Sequence, residues 1–73
     1  MSEPTHNYHI GQMVRRMREY RNMTQVELSE KSGLSRMTLN LIESGRGNTT
    51  VDSLVAIATV LDCVMDVNFT PVK

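Results

Sequence analysis

From Ile10 onward the apolar positions of the chain fall at Ile10, Met13, Val14 and Met17, the i, i+3, i+4, i+7 spacing of a single helix face. Arg15, Arg16 and Glu19 point elsewhere, and the pattern predicts a helix over about 9–21. Arg18, four residues after Val14, falls on the edge of the apolar face, where a guanidinium needs a carboxylate. Thr24 opens a second helix, because Thr24 and Glu27 have the T-x-x-E spacing of a capping box, in which two side chains satisfy two free amides. That helix is short, about 25–32, and Gly33 closes it in the left-handed conformation. Leu34-Ser35 leads into a third helix, capped by Ser35 and stopped by Gly45. Residues 46–50 form a loop, and Thr49 or Thr50 caps a fourth helix over about 51–61. The first eight residues are polar with a proline and form a flexible arm.

Two features exceed what a minimal monomeric bundle needs. The fourth helix is apolar around most of its circumference (Val51, Leu54, Val55, Ala56, Ile57, Ala58, Val60, Leu61), wider than the stripe of a surface helix. After it Met65, Val67 and Phe69 alternate with Asp66, Asn68 and Thr70, the period of a half-buried strand, ended by Pro71. A lone strand cannot satisfy its backbone groups, so the expected solution is pairing with the same strand of a symmetry mate. The expectation is an all-α, compact four-helix domain with a C-terminal β-strand that pairs across a homodimer through Val60, Leu61, Met65, Val67 and Phe69. The chain divides into an arm (1–8), a helical domain (9–62) and a dimerisation strand and tail (63–73).

Length and composition narrow the classes. Seventy-three residues hold one small domain and leave little room for a catalytic pocket, so the protein is expected to be a non-enzyme. Only one cysteine, Cys63, is present; it can form no internal disulfide, and with His6 and His9, in and next to the arm, lacking a nearby Asp/Glu/Cys set there is no metal-ligand set. No cofactor is expected. Neither a long apolar run nor a basic leader is found, so a cytoplasmic protein without membrane contact or small-molecule substrate is expected. Formal charge is zero, yet residues 9–50 hold seven basic and four acidic groups, whereas 51–72 hold three aspartates and no base. The segregation allows a basic face to meet a polyanion.

The third helix suits that partner. With 100° per residue, Ser35, Leu39, Ile42 and Glu43 cluster inward, while Met37, Asn40, Leu41 and Ser44 face outward with Arg36 on the flank. In a DNA major groove Arg chelates guanine, Asn pairs with adenine, and Met or Leu meets thymine methyls. Ser35, Arg36, Met37, Asn40 and Leu41 are therefore the candidate base readers. Gln25, among the free amides at a helix start, is a candidate phosphate clamp, and Thr38, Arg46, Asn48 and Thr49 are further phosphate candidates.

The helix, tight glycine turn and helix at MTQVELSEKSGLSRMTLNLIESG resemble the Xre/Cro family of phage and bacterial repressors. The marks are Thr24-Gln25, Glu27-Leu28, Gly33, the helix start from Ser35 to Leu39, and Ile42-Glu43-x-Gly45, within a stretch from about Ile10 to Leu61. The resemblance implies a lambda-repressor-like helix-turn-helix domain that represses from an inverted-repeat operator as a homodimer, a phosphate contact at Gln25, and a salt bridge between Arg18 and Glu43. Ser29 stands where the family prefers Ala for close helix packing, a small residue whose hydroxyl can bond back to the i−4 carbonyl. Where many relatives have a fifth helix, this chain has the alternating segment after Asp62, similar to the antitoxin branch that partners kinase toxins. Three roles stay open on the sequence: the antitoxin of a toxin–antitoxin pair with a toxin protein as second partner, a free-standing phage or restriction–modification controller-type regulator, and a protein-interaction module without DNA binding.

Overall fold

The computed structural model describes residues 6–47, 49–66 and 69–72. Four helices follow in order: α1 (His6–Tyr20), α2 (Gln25–Ser32), α3 (Arg36–Ser44) and α4 (Val51–Val60). α1 packs on α3, and α2 on both α3 and α4. Val14, Leu28, Leu39, Ile42, Ile57 and Leu61 are buried at the centre, one or two from each helix and its immediate end. Ile10, Met17, Met23, Leu34 and Leu54 close over them.

The predicted starts of α2, α3 and α4 hold. Thr24 caps α2 through a complete capping box: its hydroxyl accepts from the Glu27 amide (3.1 Å), and Glu27 Oε1 accepts from the Thr24 amide (3.0 Å). These bonds to the ionised form hold the Glu27 carboxyl below the usual glutamate range, the backbone bond first and the Thr24 hydroxyl second. Ser35 caps α3, and Thr50, of the two threonines offered by the sequence, caps α4. The helix ends share one device. Asn22, Gly33, Gly45 and Asp62 all take positive φ; the amides of Met23, Arg46 and Cys63 bond back to last-turn carbonyls, as does that of Gly33 itself, while the Leu34 amide donates to Ser32 Oγ (3.3 Å). At Asn22 and Asp62 the left-handed residue is one of the two side chains that tolerate it next best after glycine.

Some elements differ from expectation. α1 begins at His6, within the stretch expected as an arm, because Tyr8 is held against the α3 terminus: a Cβ on Gly45 would lie 2.7 Å from Tyr8 Cα. Ser29 does not bond to the i−4 carbonyl; its hydroxyl donates to Leu34 O (2.5 Å), fastening the end of α2 to the turn before α3. No strand occurs among the described residues, since a single chain offers 65–66 and 69–72 no ladder partner. Leu61, expected at a dimer interface, lies in the core of the single chain. Val67, expected beside it, lies outside the described residues.

α1 also approaches α3 more closely than its apolar stripe indicates. A Cβ on Gly11 would meet Ile42 O in overlap and lie 2.8 Å from Glu43 O, so only glycine allows this contact.

Candidate nucleic-acid interface

Behind the outward face of α3 lies a buried ion pair. Arg18 Nε donates to Glu43 Oε2 (2.7 Å) and Nη2 to Oε1 (3.0 Å), with side-chain exposures of 13% and 5%. Nη1 donates to Met23 O (2.8 Å), so the guanidinium ties α1, the α1–α2 connection and α3 together. Hydrogen bonding to Glu43 raises the Arg18 pKa further above its ordinary value, against the opposing effect of burial. Glu43 Oε1 also accepts from Gln25 Nε2 (3.1 Å), which fixes the first turn of α2 to the back of α3.

That fixation places five side chains around one open groove on the solvent side: Gln25, Arg36, Met37, Asn40 and Leu41. Four are among the expected base readers, and the fifth is the expected phosphate clamp. Met37 is 75% exposed, and Arg36, Asn40 and Leu41 are exposed beside it. A thioether and an isobutyl group held in water next to a guanidinium and a carboxamide present both hydrogen-bonding and methyl-contacting surface to a base edge. The Gln25 amide nitrogen is partly committed to Glu43, so its carbonyl oxygen and remaining N–H face outward bonding.

The remaining candidates separate. The Ser35 hydroxyl is engaged in its cap, accepting from the Thr38 amide (3.0 Å) and donating to Thr38 Oγ1 (2.9 Å), which leaves the Thr38 hydroxyl proton as the donor of the pair that can turn toward a ligand. Arg46 is exposed just beyond the left-handed Gly45. Thr49 Oγ1 is buried and has no hydrogen-bond partner among the described residues. Asn48 lies outside the described residues. Of the α1 bases, Arg15 pairs with Glu19 on the surface (3.3 Å). Arg21 is structural: Nε donates to Leu61 O (2.8 Å) and Nη2 to Asp62 O (3.1 Å), closing the C-terminus of α4. Sequence spacing gives no signal for a bond across forty residues. Gly11 did carry a signal, since an isolated glycine inside an apolar helix stripe usually has a packing reason.

Comparison with known proteins agrees with this geometry. A helix-turn-helix family model matches residues 14–66. The chain is 42% identical over 52 residues to the immunity repressor protein of Bacillus phage phi105, a match covering 71% of this chain and 36% of the repressor. The chain thus spans about a third of the length of the curated relatives it matches. Among solved structures it is similar to the restriction-modification controller protein C.AhdI from Aeromonas hydrophila, with TM-score 0.77 and 29% identity, over 80% of this chain and 88% of that one. It is also similar to the clp gene regulator ClgR from C. glutamicum, with TM-score 0.82 and 27% identity, over 85% and 80% of the two chains. No helix among the described residues is long and apolar enough to cross a membrane.

Proposed function

The chain belongs to the helix-turn-helix family, and from that premise we propose that it is a sequence-specific DNA-binding transcriptional regulator that represses a promoter as a homodimer on an inverted repeat. The observation that carries this is the groove formed by Gln25, Arg36, Met37, Asn40 and Leu41, whose members are fixed from behind by the Arg18–Glu43–Gln25 network. A base-reading constellation must be held rigidly to discriminate, and this one stands on helix starts clamped by charge-assisted bonds. α3 enters the major groove; Arg36 and Asn40 supply donors to purine edges, and Met37 and Leu41 supply contact with thymine methyls. Arg46, beyond the end of α3, meets the phosphate backbone. Repression follows from occupancy of the promoter, in keeping with the similarity to a phage immunity repressor.

Two copies related by a two-fold axis place their α3 helices about 34 Å apart, one turn of the duplex. The exposed Val51 and Val55 on α4 and the apolar residues after it supply the surface for that assembly. The similarity over 80% of the chain to a restriction-modification controller protein favours a free-standing regulator. The antitoxin role rests on the alternating segment after α4 alone and would require a toxin that copurifies with the protein.

The test is selection from a random double-stranded DNA pool at about 150 mM salt, followed by sequencing. Enrichment of an inverted repeat is the expected result. Absence of enrichment even at low salt, where phosphate contacts are strongest, would overturn the proposal in favour of an interaction module.

A further inference from the structure

The outward face of α3 carries two pairs of side chains at i, i+4 spacing, side by side: Arg36 with Asn40, and Met37 with Leu41. Within each pair the Cβ atoms lie about 5–6 Å apart, so a hydrogen-bonding strip runs beside an apolar one along the same groove. Met37 is 75% exposed and Leu41 41%, and both stand outside the buried core. Leu41 is also braced. The amides of Arg46 and Gly47 donate to its carbonyl (3.1 and 3.4 Å), and a Cβ on Gly47 would lie 3.1 Å from Leu41 Cβ, so the backbone after α3 rests against this side chain. An apolar strip that is open to water and fixed at one end is placed to meet an apolar feature of the ligand.

On the major-groove edge of DNA that feature is the C5-methyl of a pyrimidine. Thymine always carries it, and cytosine carries it only after methylation at C5. Both methyls project from the same ring carbon into the same groove; the two bases differ at C4, where thymine has an acceptor oxygen and cytosine a donor amine. A thioether and an isobutyl group have no strong donor or acceptor with which to sense that difference, and they respond to the methyl alone. We infer that Met37 and Leu41 read pyrimidine C5-methyl groups as such, so that the affinity for the operator rises when a cytosine facing them is methylated at C5. This rests on the reading of α3 as the major-groove helix proposed above, and it makes the methylation state of the DNA a regulator of that same site. The strip Arg36–Asn40 discriminates the rest of each base pair, so the methyl effect appears on comparing one base with and without its methyl.

The test takes the full chain and the operator returned by the selection described above. Replacing each thymine in turn by deoxyuracil removes one methyl and leaves every hydrogen-bonding group of the pair in place. Affinity is expected to fall about fourfold at one or more positions of each half-site, the worth of one buried methyl. At such a position a C·G pair bearing 5-methylcytosine is expected to bind about fourfold tighter than the same pair with plain cytosine. The double variant Met37→Ala, Leu41→Ala should erase both differences with unchanged helical circular dichroism. An operator on which deoxyuracil binds as well as thymine at every position would overturn the inference and leave DNA binding standing. A methyl effect that persists in the double variant would assign it to the shape of the DNA and overturn the inference equally. Failure to select any operator would overturn both readings.

Discussion

At Arg18 the chain places a guanidinium in the interior and surrounds it with three acceptor oxygens, two from Glu43 and one from Met23. Removing one charge of such a pair leaves the other buried and unpaired. Arg18→Met is therefore expected to destabilise the fold by about 3–5 kcal/mol, read from the urea midpoint. The double variant Arg18→Met, Glu43→Leu should recover much of that loss, because no bare charge then remains. Recovered stability need not restore DNA recognition, since Gln25 also loses its anchor at Glu43. Gly11 depends on sterics instead. An added methyl would overlap the α3 backbone at Ile42 and Glu43, and backbone cannot rotate away. Gly11→Ala should cost about 1–3 kcal/mol in the same measurement despite the better helix propensity of alanine.

Each helix in this fold is short, so its ends weigh heavily: caps satisfy the free amides at the starts of α2, α3 and α4, and left-handed residues close all four ends. The α2 capping box carries a pH dependence. Because the folded-state Glu27 carboxyl lies below its unfolded value of about 4.3, its contribution is present above that pH and is lost as pH falls through the folded-state value. The difference in thermal midpoint between the parent chain and Glu27→Ala should accordingly be constant near neutrality and narrow in acid, as followed by circular dichroism. On α3 the outward side chains are free of structural duty. Arg36→Ala should leave stability unchanged and weaken binding to a selected operator by about 1–3 kcal/mol, with relaxed preference at one base-pair position in a competition assay.

For the molecule as a whole, the proposed two-fold assembly couples two α3 helices through a fixed spacing. Inserting about 5 base pairs between operator half-sites would rotate one half-site to the opposite side of the duplex. Binding measured by gel shift should fall to that of a single half-site. A half-turn insertion without such loss would indicate independent monomers. Overall neutrality does not oppose DNA binding, because seven of the eight bases sit in residues 9–50, whereas all three aspartates lie in or after α4.

Much of the fold was legible because local chemistry alone decides it. Thr24 with Glu27, Ser35, Gly33 and Gly45 are signals whose physics operates within one turn of chain, and each appears where its spacing requires. The outward set Arg36, Met37, Asn40 and Leu41 was readable for the same reason, since helical periodicity fixes which side chains share a face. The Arg18–Glu43 pair came from family resemblance; the stripe position of Arg18 showed only that it needed a carboxylate. Tertiary structure alone decided the rest. It turned Ser29 toward Leu34, sent Arg21 across to the end of α4, drew Tyr8 into α1 against Gly45, and placed Leu61 in the core. These outcomes depend on how close two helices come in space. Sequence by itself determined which segments are helical and which face each turns outward; the approach distances set by Gly11, and hence which polar groups meet, belong to packing.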